Sequence, residues 1–175
     1  MRSRIAAGLV SVLLMTPFAG VPAFSAGSDS GGSTPECEAG KVWDKDQQKC
    51  VAKSSRLDDD SIYEYGQMLA KAGRYGEAIE VLSLAADKSD PRILNYLGYS
   101  HRKQGRVEVG LGYYEEALKA NPDYTLAREY MGEAYIQLGD VASARNQLSE
   151  IEKRCGTGCG EYVELAKHID NYLKG

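Results

Sequence analysis

The sequence predicts an all-α fold: a short solenoid of three helix-turn-helix repeats, closed by one further helix. Three observations predict it. Glycines recur in register, with Gly66, Gly98 and Gly132 in one set and Gly73, Gly105 and Gly139 in another. Small residues keep the same register at Ala78, Gly110 and Ala144, and Ala85, Ala117 and Ile151 continue it. The first interval is 32 residues and the second 34 throughout, a period that belongs to stacked pairs of helices. A shorter turn near Asp87 to Pro91 accounts for the difference.

The chain before the repeats divides into three parts. Arg2 and Arg4 precede an apolar run from Ile5, followed by Pro17, Pro22 and small residues. A basic start, a short apolar core and a small-residue site predict a secretory signal peptide over 1–26, cleaved after Ala23 or Ser25. Contact with a membrane is expected only through this segment before cleavage. Residues 27–36, rich in Gly and Ser, predict a flexible linker. Residues 37–51, "CEAGKVWDKDQQKCV", place β-favouring Val42 and Trp43 before a turn-like stretch, and predict a small disulfide-closed hairpin or loop.

The repeats are expected at 59–90, 91–124 and 125–158, within a region 59–158. Gly in a helix interior costs about 1 kcal/mol relative to Ala, so its recurrence needs a reason. Gly66, Gly98 and Gly132 are expected to let helix B of each repeat approach helix A. Gly73, Gly105 and Gly139 are expected to end helix A in a left-handed conformation. Asp90-Pro91 supplies an N-cap and an N1 proline for the second repeat, and Asp140 can cap the last B helix. At 160–174, Tyr162, Leu165, Ile169 and Tyr172 recur at helical spacing, which predicts a polar-backed capping helix.

Composition and charge narrow the function. Without Arg2 and Arg4 the chain is near −6, which argues against nucleic-acid binding. Four cysteines in an exported chain predict disulfides; proximity favours Cys37–Cys50 and Cys155–Cys159, with three pairings formally possible. There are only two histidines, His101 and His168, and no phosphate loop, dinucleotide glycine fingerprint or hydrolase serine motif. The chain is therefore expected to be no enzyme and to need no cofactor. Two thiols and a distant His168 do not supply the four ligands of a zinc site.

The register resembles that of the tetratricopeptide repeat family. Leu97-Gly98, Met131-Gly132 and Tyr135 carry the helix A match. Gly105 and Gly139 match the turn, and Ala78, Leu82, Ala85, Tyr114, Ala117 and Pro122 match helix B. The resemblance covers about residues 59–158. It implies a right-handed solenoid whose A helices line a concave groove. Projected on this sequence, the groove takes Tyr63, Gln67 and Lys71 from the first repeat. The second gives Arg92, Asn95, Tyr99, Arg102 and Lys103; the third gives Glu129, Glu133 and Gln137. Arg92, Asn95, Arg102 and Lys103 are expected to form one basic patch.

These implications predict an exported scaffold, bacterial and periplasmic, that binds a protein or peptide with an acidic stretch or a free C-terminal carboxylate. Two alternatives remain open. One is a thiol-redox accessory role for Cys155 and Cys159; the other is a cell-envelope glycan site in which Trp43 stacks on a sugar.

Overall fold

The computed structural model describes residues 35–38, 40–53 and 57–175. The expected signal segment and most of the linker therefore lie outside the described residues. A hairpin of β1 (Lys41–Asp44) and β2 (Lys49–Ala52) comes first. Seven helices follow among the described residues: α1 (Asp59–Lys71), α2 (Tyr75–Leu82), α3 (Pro91–Lys103), α4 (Val107–Ala120), α5 (Thr125–Gln137), α6 (Val141–Cys155) and α7 (Gly160–Lys174). The first six form three antiparallel pairs, each packed on the next.

The chain starts and stops its helices with side chains the sequence displays. Asp58 caps α1, accepting from the Ser61 N–H at 2.8 Å and the Ser61 hydroxyl at 2.6 Å. Asp90 caps α3 by accepting from Arg92 N–H at 2.8 Å, with Pro91 in the first turn. Asp140 caps α6 by accepting from Ser143 N–H at 2.9 Å. Gly73, Gly105 and Gly139 have φ of 78°, 83° and 77°, the left-handed region that ends each A helix. Just beyond each glycine an N–H reaches back to the helix: Arg74 to Leu69, Arg106 to His101 and Asp140 to Tyr135 carbonyls, at 2.8–3.0 Å.

The interior glycines mark close approaches. A Cβ on Gly98 would lie 2.7 Å from the Tyr114 ring and 3.0 Å from the Gly110 carbonyl. A Cβ on Gly110 would meet the Gly98 carbonyl at 2.8 Å, so α3 and α4 touch backbone to backbone. A Cβ on Gly66 would collide with Leu82 of α2. The third repeat departs from this rule. A Cβ on Gly132 would first meet Leu165 of α7, at 2.5 Å, where Gly66 and Gly98 first meet helix B of their own repeat. Leu165 is fully buried and, with Ile169, packs on Ala144 and Ile151. The last helix is thus part of the third repeat's core; Tyr172, the end of its expected stripe, is half-exposed.

The hairpin is docked on the solenoid. Lys41 pairs with Ala52 and Asp44 with Lys49 in an antiparallel register, which sets Trp43 opposite Cys50. Val42 and Cys37 are buried in one cluster with Ile62, Tyr65 and Leu69 of α1. Cys37 N–H donates to the Tyr65 hydroxyl at 3.0 Å, and Lys45 N–H to the Ser61 hydroxyl at 3.2 Å. Trp43 lies partly buried against the same cluster, so part of its ring is taken by packing. The cysteine sulfurs lie together as Cys37 with Cys50 and Cys155 with Cys159.

Candidate functional site

The A helices α1, α3 and α5 lie side by side, and tyrosines cross from one to the next. Tyr63 and Tyr96 rings are 5.9 Å apart, Tyr96 and Tyr130 6.4 Å, and Tyr99 and Tyr130 5.0 Å, in tilted or edge-to-face contacts. Gln67 ties two of them, donating to the Tyr63 hydroxyl at 2.7 Å and the Tyr96 hydroxyl at 3.0 Å. Tyr96 is buried; Tyr63, Tyr99 and Tyr130 are part-exposed. Burial raises the proton affinity of all four phenols, so they act as neutral hydrogen-bonding groups.

The expected basic patch does not form. Asn95 is completely buried, and neither amide atom makes a well-formed hydrogen bond among the described residues. Arg102 is only 2% exposed. Its Nη2 lies 2.8 Å from Glu133 Oε2, its Nε donates to the Tyr114 hydroxyl at 3.3 Å, and its guanidinium sits 5.6 Å from the Tyr99 ring centre and 5.8 Å from that of Tyr130. Arg92 is half-exposed but held by Asp60 at 2.8 Å and Asp90 at 2.7 Å, over the Tyr63 ring. Lys103 is exposed, 5.4 Å from the Tyr99 ring centre. Lys71 and Gln137 are also exposed. The spacing that grouped Arg92, Asn95, Arg102 and Lys103 treats α3 alone. Its neighbours supply the carboxylates and rings that absorb the charge.

The third repeat carries the opposite arrangement. Glu129 is 8% exposed and has no ion-pair or hydrogen-bond partner among the described residues. Burial first, then the carboxylates of Glu133, Glu161 and Glu164, push its carboxyl up to about 8, against the weaker pull of Arg102. Glu133 stands between Arg102 and His168, whose Nε2 is 3.6 Å away. His168 thus borders this network although its ring is half-exposed. His101 instead stacks on Tyr113 at 5.3 Å and accepts from Arg106 Nε at 2.9 Å.

Tyr96 and Tyr130 are site residues that the projection missed. A usable signal was present: each stands two residues before its repeat glycine, Gly98 or Gly132. Elsewhere, Cys155, Cys159 and Glu161 hold their donor atoms within 4.8 Å of one another at the α6–α7 turn.

Residues 97–156 match the family profile described as tetratricopeptide repeat. The chain is 26% identical over 96 residues to a chloroplastic tetratricopeptide repeat domain-containing protein, PYG7, of Arabidopsis thaliana, covering 51% of this chain and 32% of that protein. It is 24% identical over 119 residues to the TPR repeat-containing thioredoxin TTL4 of the same plant, covering 66% of this chain and 17% of that protein. The chain therefore spans less than a third of the curated relatives it matches. Among solved structures, the first TPR of Spaghetti (RPAP3) bound to the HSP90 peptide SRMEEVD superposes with a TM-score of 0.58 at 20% identity, over 67% of this chain and 94% of that one. PcrH in complex with the chaperone binding region of PopB gives 0.54 at 20% identity, over 66% and 94%. The Yersinia enterocolitica chaperone SycD with a peptide of the translocator YopD gives 0.54 at 19%, over 66% and 88%. At these identities the likeness establishes the fold: the helical array is an α-solenoid of the tetratricopeptide repeat type, and residues 97–156 carry that family's profile.

Proposed function

We propose that this chain is an exported, non-catalytic scaffold that holds a segment of a partner protein against the A-helix face of α1, α3 and α5. The observation that carries the proposal is the set of part-exposed tyrosines, Tyr63, Tyr99 and Tyr130, one from each repeat, joined through the buried ring of Tyr96. Tyrosine supplies wide contact area with few rotors to freeze, and a hydroxyl that can bond a peptide backbone. Similar repeat domains hold peptides: RPAP3 an HSP90 peptide, SycD a YopD peptide. Export, to a bacterial periplasm, is supported by the basic and apolar N-terminal pattern and by two cysteine pairs suited to disulfides.

Arg92 and Arg102 are already paired within the protein, so this reading does not rest on an acidic partner segment. Ring stacking and hydrogen bonding, with Lys103 as a peripheral contact, are what this face offers. Affinity capture from the organism's own envelope extract tests this. Tyr99→Ala should lose the proteins the parent captures while its circular dichroism stays helical. Identical capture by parent and variant would place the binding surface elsewhere. Arg102→Glu is unsuitable as a probe, because it would bury a carboxylate against Glu133.

A further inference from the structure

The two cysteine pairs sit in opposite surroundings. Cys37 is 5% exposed within the apolar cluster beneath the hairpin. Cys155 is exposed at the end of α6, and Cys159 is part-buried against the cluster of Ala144, Ile151 and Leu165. Three features at the second pair bear on chemistry. An approaching thiol can reach Cys155 but meets packed protein beyond Cys159. Glu161 puts a carboxylate oxygen within 4.8 Å of both sulfurs. Cys159 is also the residue that precedes α7, a 15-residue helix whose first N–H groups receive no side-chain cap.

We propose that Cys155 and Cys159 are an exchangeable thiol–disulfide pair that oxidises the dithiols of other proteins. A partner thiolate attacks Cys155 Sγ, the reachable sulfur. The Cys155–Cys159 bond breaks, and a mixed disulfide joins the partner to Cys155. Cys159 leaves with the bonding electron pair, as a thiolate at the uncapped end of α7, where oriented N–H groups and the helix dipole favour negative charge. Glu161 takes the proton the partner thiol gave up and returns it to Cys159. The partner's second thiol then attacks its own mixed-disulfide sulfur, releasing Cys155, which takes the second proton. Two electrons and two protons pass from the partner dithiol to the pair, and the partner gains a disulfide. The negative charge of Glu161 opposes a lasting thiolate at Cys159, which suits a carrier of protons better than a store of charge. The oxidised resting state rests on the export proposed above. The test uses purified protein, so a failure of exchange is distinct from a failure of localisation.

The full chain, with both pairs oxidised, is equilibrated at stepped ratios of reduced to oxidised glutathione. It is then quenched in acid and alkylated, and each cysteine is read by mass spectrometry. The expected result is that Cys155 and Cys159 open at a ratio that leaves Cys37 and Cys50 oxidised. Cys159→Ser should collect one glutathione, on Cys155. Glu161→Gln should slow the approach to equilibrium about a hundredfold, the low end of what loss of a general acid–base does, while Glu164→Gln on the same helix keeps the parent rate. A synthetic two-cysteine peptide should be oxidised one-to-one by the parent, and not by Cys155→Ala with Cys159→Ala. Opening of both pairs at one ratio, or of Cys37–Cys50 first, would overturn the proposal, and that parent comparison decides even if a variant fails to fold. A Glu161→Gln rate equal to the parent's would remove Glu161 from the chemistry.

Discussion

The solenoid is closed by different devices at its two ends. At the N-terminal end a two-stranded hairpin, too small to be stable alone, lies on α1. Buried Val42, the Cys37–Cys50 link and the hydrogen bond from Cys37 to Tyr65 hold it there. At the C-terminal end a full helix, α7, drives Leu165 into the space above Gly132 and buries Ile169 beside it. Each end also carries a cysteine pair, but the pairs close different lengths of chain: 13 residues apart in the first and four in the second. The chain-entropy argument gives about 3 kcal/mol for the longer loop and roughly 2 kcal/mol for the shorter. A link that closes little chain, beside a helix already fixed by packing, is the one a protein can open without losing its fold.

The largest expected effect is at Leu165. Leu165→Ala removes a buried side chain from a slot shaped by Gly132 and should lower stability by about 2–5 kcal/mol, read by urea denaturation. The loss should include α7 and the third repeat together. If Leu165→Ala melts with the parent, α7 is only an appended cap. Next comes the opposite end, where Cys37→Ala with Cys50→Ala should remove about 3 kcal/mol. Hydrogen exchange should show the hairpin amides losing protection first, with α5 and α7 unchanged. Equal loss of protection at both ends would dissolve the distinction between them.

The ends also answer pH in opposite directions. Glu129, facing Glu161 and Glu164 of α7, Glu133 of its own helix and Arg102 of α3, is raised to about 8. A raised carboxyl is fully stabilising below its unfolded value near 4.5 and loses that contribution as pH rises through 8. At the other end burial works against the Asp58 carboxylate, yet the two hydrogen bonds from Ser61 and the charge of Lys45 hold it below its ordinary range. That contribution is present above the ordinary carboxyl range and is lost as pH falls through the depressed value. Glu129→Gln should therefore raise stability at pH 8 by on the order of 2 kcal/mol and leave it unchanged at pH 4. A variant that melts like the parent at both pH values would show that Glu129 finds a partner in solution.

What the sequence made legible was local. Gly73, Gly105 and Gly139 end helices by their own backbone conformation, and Asp90-Pro91 starts one with its own side chain and ring. Their register carried the fold and six of the seven described helices, and the stripe of Leu165 and Ile169 carried the last. The candidate site was legible only in part, since Tyr63, Gln67 and Tyr99 stand on the expected face. Arg102 is not legible from its own helix, because its state is set by Glu133, 31 residues away on another helix. The nearest neighbour of Gly132 lies outside the register for the same reason: Leu165 reaches it from beyond the repeat. A repeating register says which positions are equivalent, but at the end of an array the neighbour that makes them equivalent is missing.

The smallest effect expected is at the second cysteine pair. Replacing both Cys155 and Cys159 by Ala removes a link across four residues, so the chain-entropy contribution is at the low end of the disulfide range, roughly 2 kcal/mol. Part of that returns. The turn already has Gly156 in the left-handed region at φ 76°, and Gly156 N–H donates to the Glu152 carbonyl at 2.8 Å. Arg154 fixes the end of α6 independently, through Glu150 at 2.7 Å and Asp123 at 3.1 Å. The net loss should be about 1 kcal/mol, a fall in Tm of roughly 4 °C for a domain of this size, with helicity unchanged. The Cys37→Ala, Cys50→Ala chain should fall further by the same measurement. A drop at Cys155 and Cys159 as large as that at Cys37 and Cys50 would mean that α7 depends on its link as the hairpin does, and that the C-terminal pair is as structural as the N-terminal one.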